Sequence, residues 1–413
     1  MMPRLLLICY YFPPMGGAGV GRPLALFRSL KDHGIDCGVL TVKDVAYRVF
    51  EPELLHGLDE TRIHRAGSRD PQRLLRLLGV RKVRASRIGH AGRLSNRFFP
   101  DPKIGWVAPA VRLARKLIRE NRYTAMLSTS PPISGHLVAQ AVQVETGLPW
   151  VADFRDFWTS RRIEDDIADA SRRERAWELI RSIQGSAVMV TTCNPAISEY
   201  LGGGEVIYHG YDDKLAQRWR TPSPGSLFNI GLLGTFDELV PVEPLLKVLA
   251  VVRNRAPQLL TSVRLLQVGQ VDPGWMNGLL DRYSMRDIGV MHGFQSRRRT
   301  VEILNEASLF YFALASSKEC GASRVYDMLV SGRPILAGLP PDSVVAETIV
   351  GAGVTDCFDP HNAEDIERAA AFVEHLIRRH HAGELSITPR PDYARPFSAS
   401  AMVAKFADVI HGL

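Results

Sequence analysis

The run Leu309-Phe-Tyr-Phe-Ala-Leu314, then Ala315-Ser-Ser-Lys-Glu-Cys-Gly-Ala322, then Ser323-Arg-Val-Tyr-Asp-Met-Leu-Val-Ser-Gly-Arg-Pro334, decides the fold of this chain. The first part is an apolar run of strand length. The second is a polar loop, and a helix is predicted to begin near Ala322 or Ser323 and to stop at Gly332, with Pro334 opening a further strand. Strand, loop, helix and strand in that order imply parallel pairing, with the helix laid on a face of the sheet. In such sheets the loop after a strand is where ligands bind. Here that loop and the helix start carry Lys318, Glu319, Arg324 and Asp327 close together.

The same alternation runs through the rest of the chain. Strand-like runs are Leu5–Cys9, Cys37–Thr41, Ala125–Ser128, Trp150–Asp153 and Val188–Thr191. After Val206-Ile-Tyr208 the pattern restarts with Phe228–Leu233, Val263–Val268, Ile288–His292, Pro334–Ala337 and Val354–Phe358. Two doubly wound α/β domains follow, and 413 residues agree with that count. The polar, proline-containing stretch 217–225 reads as an exposed linker. Ala399, Met402, Val403, Phe406 and Ile410 recur at helical spacing, so the C-terminal segment is a helix with one apolar face that needs a surface to cover it.

Composition excludes several classes. With 46% hydrophobic and 23% charged residues the chain is neither disordered nor fibrous. Its longest early apolar run, 5–12, is too short to span a bilayer, which takes about 20 residues. Five scattered cysteines without a C-x-x-C pair indicate neither a disulfide framework nor a zinc knuckle and fit a reducing cytoplasm. The formal net charge of +7 is concentrated: Arg62, Arg65, Arg69, Arg73, Arg76, Arg81, Lys82, Arg84, Arg87, Arg93 and Arg97 face a single acid, Asp70. Leu74, Leu75, Leu77, Leu78, Val80 and Val83 interleave with them, as in a short amphipathic helix on an anionic membrane surface. A solvated loop is the plain alternative. Nucleic acid is not expected, because the segment lacks aromatic residues until Phe98.

Three more loops follow strands. Phe12–Arg22 contains Gly16, Gly17, Gly19 and Gly21 and opens a helix over Pro23–His33, a setting in which backbone amides approach an anion. It does not match G-x-G-x-x-G, and no P-loop lysine follows, so a dinucleotide cofactor is disfavoured. Ser128–His136 offers Ser134 as a helix cap and His136 as either a packed core histidine or an acceptor-side contact. Asp153-Phe-Arg-Asp156 places Asp153, Arg155 and Asp156 at a strand end, as a charge-paired knot or as part of a site.

On these residues the chain resembles retaining nucleotide-sugar glycosyltransferases of the GT-B fold, most closely glycosyltransferase family 4 of the bacterial surface-glycan type. Gly16, Gly17 and Gly19 match that family's glycine-rich loop, and Glu319 to Asp327 matches its E-x7-E motif with Asp in the second place. The resemblance implies two Rossmann-like domains: an acceptor-side domain over 1–205 and a donor-binding domain over 206–396. A helix, 397–413, crosses back to the first. It implies transfer of a hexose from a UDP- or GDP-sugar to a glycan, lipid-linked acceptor, with retention and without a metal or cofactor. Gly16, Gly17, Gly19, Gly234, Thr235, Lys318, Ser323, Arg324 and Asp327 would then bind the donor. Glu319, Arg155 and Asp156 would be catalytic, with Asp153 and His136 on the acceptor side. His209 lies where the family's interdomain turn usually has Asn.

Two departures stand out. The loop after the first strand of the second domain, Gly234-Thr-Phe-Asp-Glu-Leu-Val-Pro241, lacks the family's cationic clamp, so Lys318, Arg324 and backbone amides must serve. Arg155 or Asp156 stands where many members have a histidine. The expected setting is the cytoplasm, with the basic segment 62–97 placing the chain peripherally on the inner membrane face. A nucleotide-sugar 2-epimerase and a non-catalytic sugar-nucleotide binder are the competing readings on the same fold.

Overall fold

The computed structural model describes residues 2–81, 83, 98–158, 162–222, 225, 227–237, 240–315, 323–340, 342–353, 355–389 and 391–413. They form two compact units, Met1–Gly210 with Ala399–Leu413, and Tyr211–Ser398. The changeovers fall a few residues after the expected 205/206 and 396/397.

Unit 1 is built on β1 (Arg4–Ile8), β2 (Asp36–Val42), β3 (Ile63–Ala66), β4 (Ala125–Ser130), β5 (Trp150–Phe154), β6 (Met189–Thr192) and β7 (Glu205–Val206). Their order across the sheet is β3-β2-β1-β4-β5-β6-β7, and every pairing is parallel. Leu5, Leu6, Leu7 and Ile8 have no exposure on either face, as a strand covered on both sides requires. Its principal helices are α1 (Gly21–Ser29), α2 (Pro71–Leu77), α3 (Ile104–Asn121), α4 (Ser134–Thr146) and α5 (Ala170–Ser186). Strand order reverses between β1 and β4, so the loops after those two strands flank the switch point.

Unit 2 repeats the plan with β8 (Phe228–Leu233), β9 (Val263–Val268), β10 (Gly289–Met291), β11 (Leu309–Ala313), β12 (Ile335–Gly338) and β13 (Thr355–Phe358). The order is β10-β9-β8-β11-β12-β13, all parallel, with the reversal between β8 and β11. Its helices include α6 (Glu243–Arg255), α7 (Arg324–Val330) and α8 (Ala363–His381). Leu245, Leu249 and Val252 of α6 share one core with Val373, Leu376 and Ile377 of α8. The Asn362 side chain caps α8 by accepting from the amides of Glu364 and Asp365, while Arg378, Arg379, His380 and His381 lie in its last turn, where the dipole favours cations.

The C-terminal helix α9 (Ala399–His411) belongs to unit 1. It buries Met402, Val403, Phe406, Val409 and Ile410, packing on α1 and on the tight turn Leu30–His33. That is the cover its apolar face demanded.

Two local expectations change. The short helix of the basic segment runs over Pro71–Leu77 and stops before Leu78, Val80 and Val83, while Arg65 lies in β3, an edge strand absent from the sequence reading. Residues 82 and 84–97 lie outside the described set. The stretch 217–225 is not a free linker in its described part. The buried Arg333 donates to the carbonyls of Arg220 (2.6 Å) and Asn305 (2.8 Å) and its guanidinium stacks 4.9 Å over Trp219, fastening that segment to unit 2.

Candidate functional site

In unit 2 the switch point brings together residues that are far apart in sequence. Gly234 ends β8 with φ +106°, a backbone region that disfavours side chains. A Cβ there would also come within 3.2 Å of Arg324 Cδ. Arg324 opens α7, donates from Nη2 to Ala313 O (3.3 Å) at the end of β11, and lies 5.1 Å over the Phe312 ring and 6.0 Å over Phe236. The two aromatic faces help to hold the guanidinium in place. Thr235 is exposed beside it and Ser323 precedes the helix half-buried. Because α7 is only 7 residues long, the cationic weight of the site rests on Arg324 rather than on the helix end.

Asp327 lies on the fourth position of the same helix, half-buried. Burial pushes its carboxyl up to about 7; Arg297 pulls against that shift and Asp212 adds to it. A carboxyl titrating there donates as well as accepts hydrogen bonds near neutral pH. Glu319 and Lys318, expected between β11 and α7, lie outside the described residues.

Unit 1 places a different set at its switch point. Arg22, on α1, forms a bidentate pair with Asp153 at the end of β5: Nε to Oδ2 at 3.0 Å and Nη2 to Oδ1 at 2.6 Å, with both side chains fully buried. Thr129 and Thr191 donate to the same carboxylate at 2.7 and 2.9 Å. Burial alone would raise the Asp153 carboxyl, yet Arg22 and these bonds hold it below the usual range. Arg22 Nη1 also donates to Ile207 O (2.7 Å) and Tyr208 O (3.1 Å), and its guanidinium sits 4.6 Å over Phe406 of α9. Arg22 and Asp153 together thus join the Gly-rich loop's helix, three strands, the stretch Ile207–Tyr208 and the returning helix. Sequence reasoning did not single out Arg22.

Both acceptor-side candidates are engaged inside unit 1. Asp153 spends both oxygens on protein donors, as the charge-paired knot does. His136 is fully buried; its Nδ1 lies 2.7 Å from Ser128 Oγ, which itself accepts from Trp150 Nε1 at 2.8 Å. Ser128 Oγ can either donate to Nδ1 or accept from it, so the contact suits either neutral tautomer. Burial drives that ring to about 3, with Arg155 lowering it further and Asp153 opposing. It packs 4.4 Å from the Phe154 ring as a core histidine.

Arg155, 4% exposed, turns towards the Gly-rich loop, donating from Nη1 to Gly19 O (3.0 Å) and from Nε to Ser130 O (2.8 Å). Asp156 is half-buried beside it. His209, also half-buried, is held well below the usual histidine range, first by burial and then by Arg22 and Arg155. Within the loop, Gly16 N donates to Val49 O and Gly17 N to Glu51 Oε2. Among the described residues no group of three or more His, Cys, Asp or Glu is arranged to hold a metal ion.

No protein-family model matches the chain, and no curated protein matches it. Solved structures do resemble it. Sucrose-phosphate synthase from Thermosynechococcus elongatus superposes with a TM-score of 0.70 at 14% identity, over 99% of this chain and 98% of that one. TarM gives 0.64 at 10% identity over 99% of each chain. WaaG, a glycosyltransferase involved in lipopolysaccharide biosynthesis, gives 0.61 at 12% over 99% of this chain and 100% of its own. With two parallel sheets of seven and six strands, each flanked by helices, the chain has the α/β GT-B fold.

Proposed function

We propose that the chain is a glycosyltransferase that moves a hexose from a UDP- or GDP-sugar to a glycan, lipid-linked acceptor, with retention of configuration and without a metal. The observation that carries this reading is Arg324, packed over Gly234 where strand order reverses in unit 2. Loss of a nucleoside diphosphate from an anomeric carbon builds negative charge on the leaving phosphates, and a fixed guanidinium at a strand-end crevice stabilises that charge. Lys318 adds a second cation, and Asp327 takes the ribose hydroxyls. Glu319 faces the hexose, while the departing phosphate receives the acceptor proton as the acceptor attacks the same face. Arg155 and Asp156 serve from unit 1, the acceptor side. The shared fold of WaaG, a glycosyltransferase involved in lipopolysaccharide biosynthesis, adds support.

Titration calorimetry of the full chain with UDP and GDP, with and without EDTA, tests the donor site. One of the two binds, EDTA leaves its affinity unchanged, and Arg324→Ala weakens it by about tenfold or more, the worth of a charge-assisted bond. Nucleotide affinity that ignores Arg324→Ala removes the assignment. Glu319→Ala then lowers transfer far more than melting temperature.

A further inference from the structure

Beneath α2 lies a buried amine that the chemistry proposed above does not use. Lys103, the residue before α3, is 7% exposed. Its Nζ donates to Gln72 Oε1 of α2 and sits 4.9 Å over the ring of Tyr10, in the segment that follows β1. Among the described residues these are the ammonium's contacts, and neither partner carries a charge. The acid at the head of α2 is engaged elsewhere: Asp70 accepts from Tyr10 Oη at 2.6 Å, from Ser68 Oγ and from the Arg73 amide at 2.9 Å. Asp101, on the other side, accepts from the Lys103 amide, the Ser134 amide and Ser134 Oγ, each at 2.8 Å. The other charges of α2 turn to Asp44, Arg73 to its carbonyl and Arg76 to its carboxylate at 3.9 Å.

α2 therefore sits on a cation that is answered only at a distance. Taking an ammonium out of water without an anion in contact is costly. Burial takes it down to about 8; Asp70 opposes that fall, Arg48 adds to it and Asp101 opposes it. In water a lysine amine titrates at about 10.4. No residue of α2 is itself buried, so polar contacts hold the helix, among them Arg69 N to Gly105 O at 3.0 Å and Ala46 N to Gln72 O at 3.0 Å. Gly105 lets the two helix starts meet closely, since a Cβ there would fall 2.7 Å from Arg69 C. An element with so little buried surface belongs to the part of a fold that opens first.

We propose that α2, with its cap Asp70, is a proton-sensitive flap on unit 1, seated against Lys103 and released more readily when that amine is charged. The seated form keeps the ammonium from water and the released form returns it, so a proton on Lys103 counts against the seat. That bias is fully present below about pH 8, shrinks as the pH climbs from there to about 10.4, and is gone above it. Release bares Lys103 and Tyr10 beside the loop after β1, at the edge of the switch point, and lets Leu74, Leu77 and Leu78 move with the helix. The flap is independent of what unit 2 binds.

The test is hydrogen exchange of the full chain at pH 7 and pH 9, read by mass spectrometry on peptides covering 70–78. Rates are divided by those of the unstructured peptide, with α8 of unit 2 as internal reference. α2 becomes about tenfold more protected at pH 9 than at pH 7, while α8 changes by less than about threefold. Lys103→Met keeps the length of the stem and removes the charge, and its α2 protection is the same at both pH values. Lys103→Arg keeps the charge at both pH values, so the rise disappears there too, which decides the matter should the methionine variant fold poorly. Protection of α2 that is flat or falls from pH 7 to pH 9 in the wild type overturns the flap. A rise that survives either substitution assigns the response to another group and overturns it as well.

Discussion

Asp327 carries a pH signature. Its carboxyl is pushed to about 7, chiefly by burial, so the folded chain holds that proton more tightly than the unfolded chain does. The associated stability is fully present below the ordinary carboxylate range and is lost as pH rises through about 7. Asp327→Asn cannot ionise. Its melting temperature relative to wild type therefore climbs between pH 5 and pH 8, corresponding to about 1–3 kcal/mol at the upper end. A gap that stays flat across this range means that the carboxylate is already ionised in the fold. Asp327 was legible from its spacing to Glu319; Arg22 was not. Its partner Asp153 is 131 residues away, and no periodicity links them. The one local hint was a cation at the start of α1, where the helix dipole disfavours positive charge unless an acid answers it.

At the scale of elements, long strands and amphipathic helices were legible because burial on both faces writes continuous apolar runs and one-face burial writes a helical period. Strand β3, Ile-His-Arg-Ala, was not, since an edge strand of 4 residues with a polar centre leaves no such pattern. Its neighbour α2 was legible in kind, and its leucines face outward: Leu74 is 51%, Leu77 65% and Leu78 81% exposed beside Arg73 and Arg76. Asp70 caps the helix by accepting from the Arg73 amide at 2.9 Å, so this presentation is held by the fold. Exposed leucines among arginines fit an anionic lipid surface, where each cation adds about 1 kcal/mol and each buried methylene about 0.8. Flotation with phosphatidylglycerol vesicles should capture the chain and phosphatidylcholine vesicles should not. Replacing Leu77 and Leu78 by serine should cut capture at least tenfold with no loss of melting temperature, because neither side chain is buried. Equal capture by both lipids, or by the serine variant, counts against a membrane role for α2. No helix among the described residues is long and apolar enough to cross a membrane.

For the whole molecule, the repeated strand-helix alternation predicted two doubly wound sheets, and the sheets have the two strand orders that put a reversal beside the Gly-rich loop and beside Gly234. The sequence marked the loops after β1, β4 and β8 by their residues, but not the strand order that sets the reversals beside them. What the loops hold was less legible, since hydrogen bonds such as Arg155 to Gly19 join segments across 136 residues. Each unit has its own sheet, and the core of unit 2 draws on strands and helices of that unit alone. Two transitions are therefore expected in calorimetry of the full chain. A nucleoside diphosphate that binds through Arg324 stabilises only the folded form of unit 2, by about 2.7 kcal/mol at a hundredfold excess over Kd. It should raise one transition and leave the other in place, and Arg324→Ala should abolish the rise without removing either transition. If both transitions rise together in the wild type, the nucleotide is not held by unit 2 alone, and the assignment of the donor to the Gly234–Arg324 crevice has to be widened to residues of unit 1.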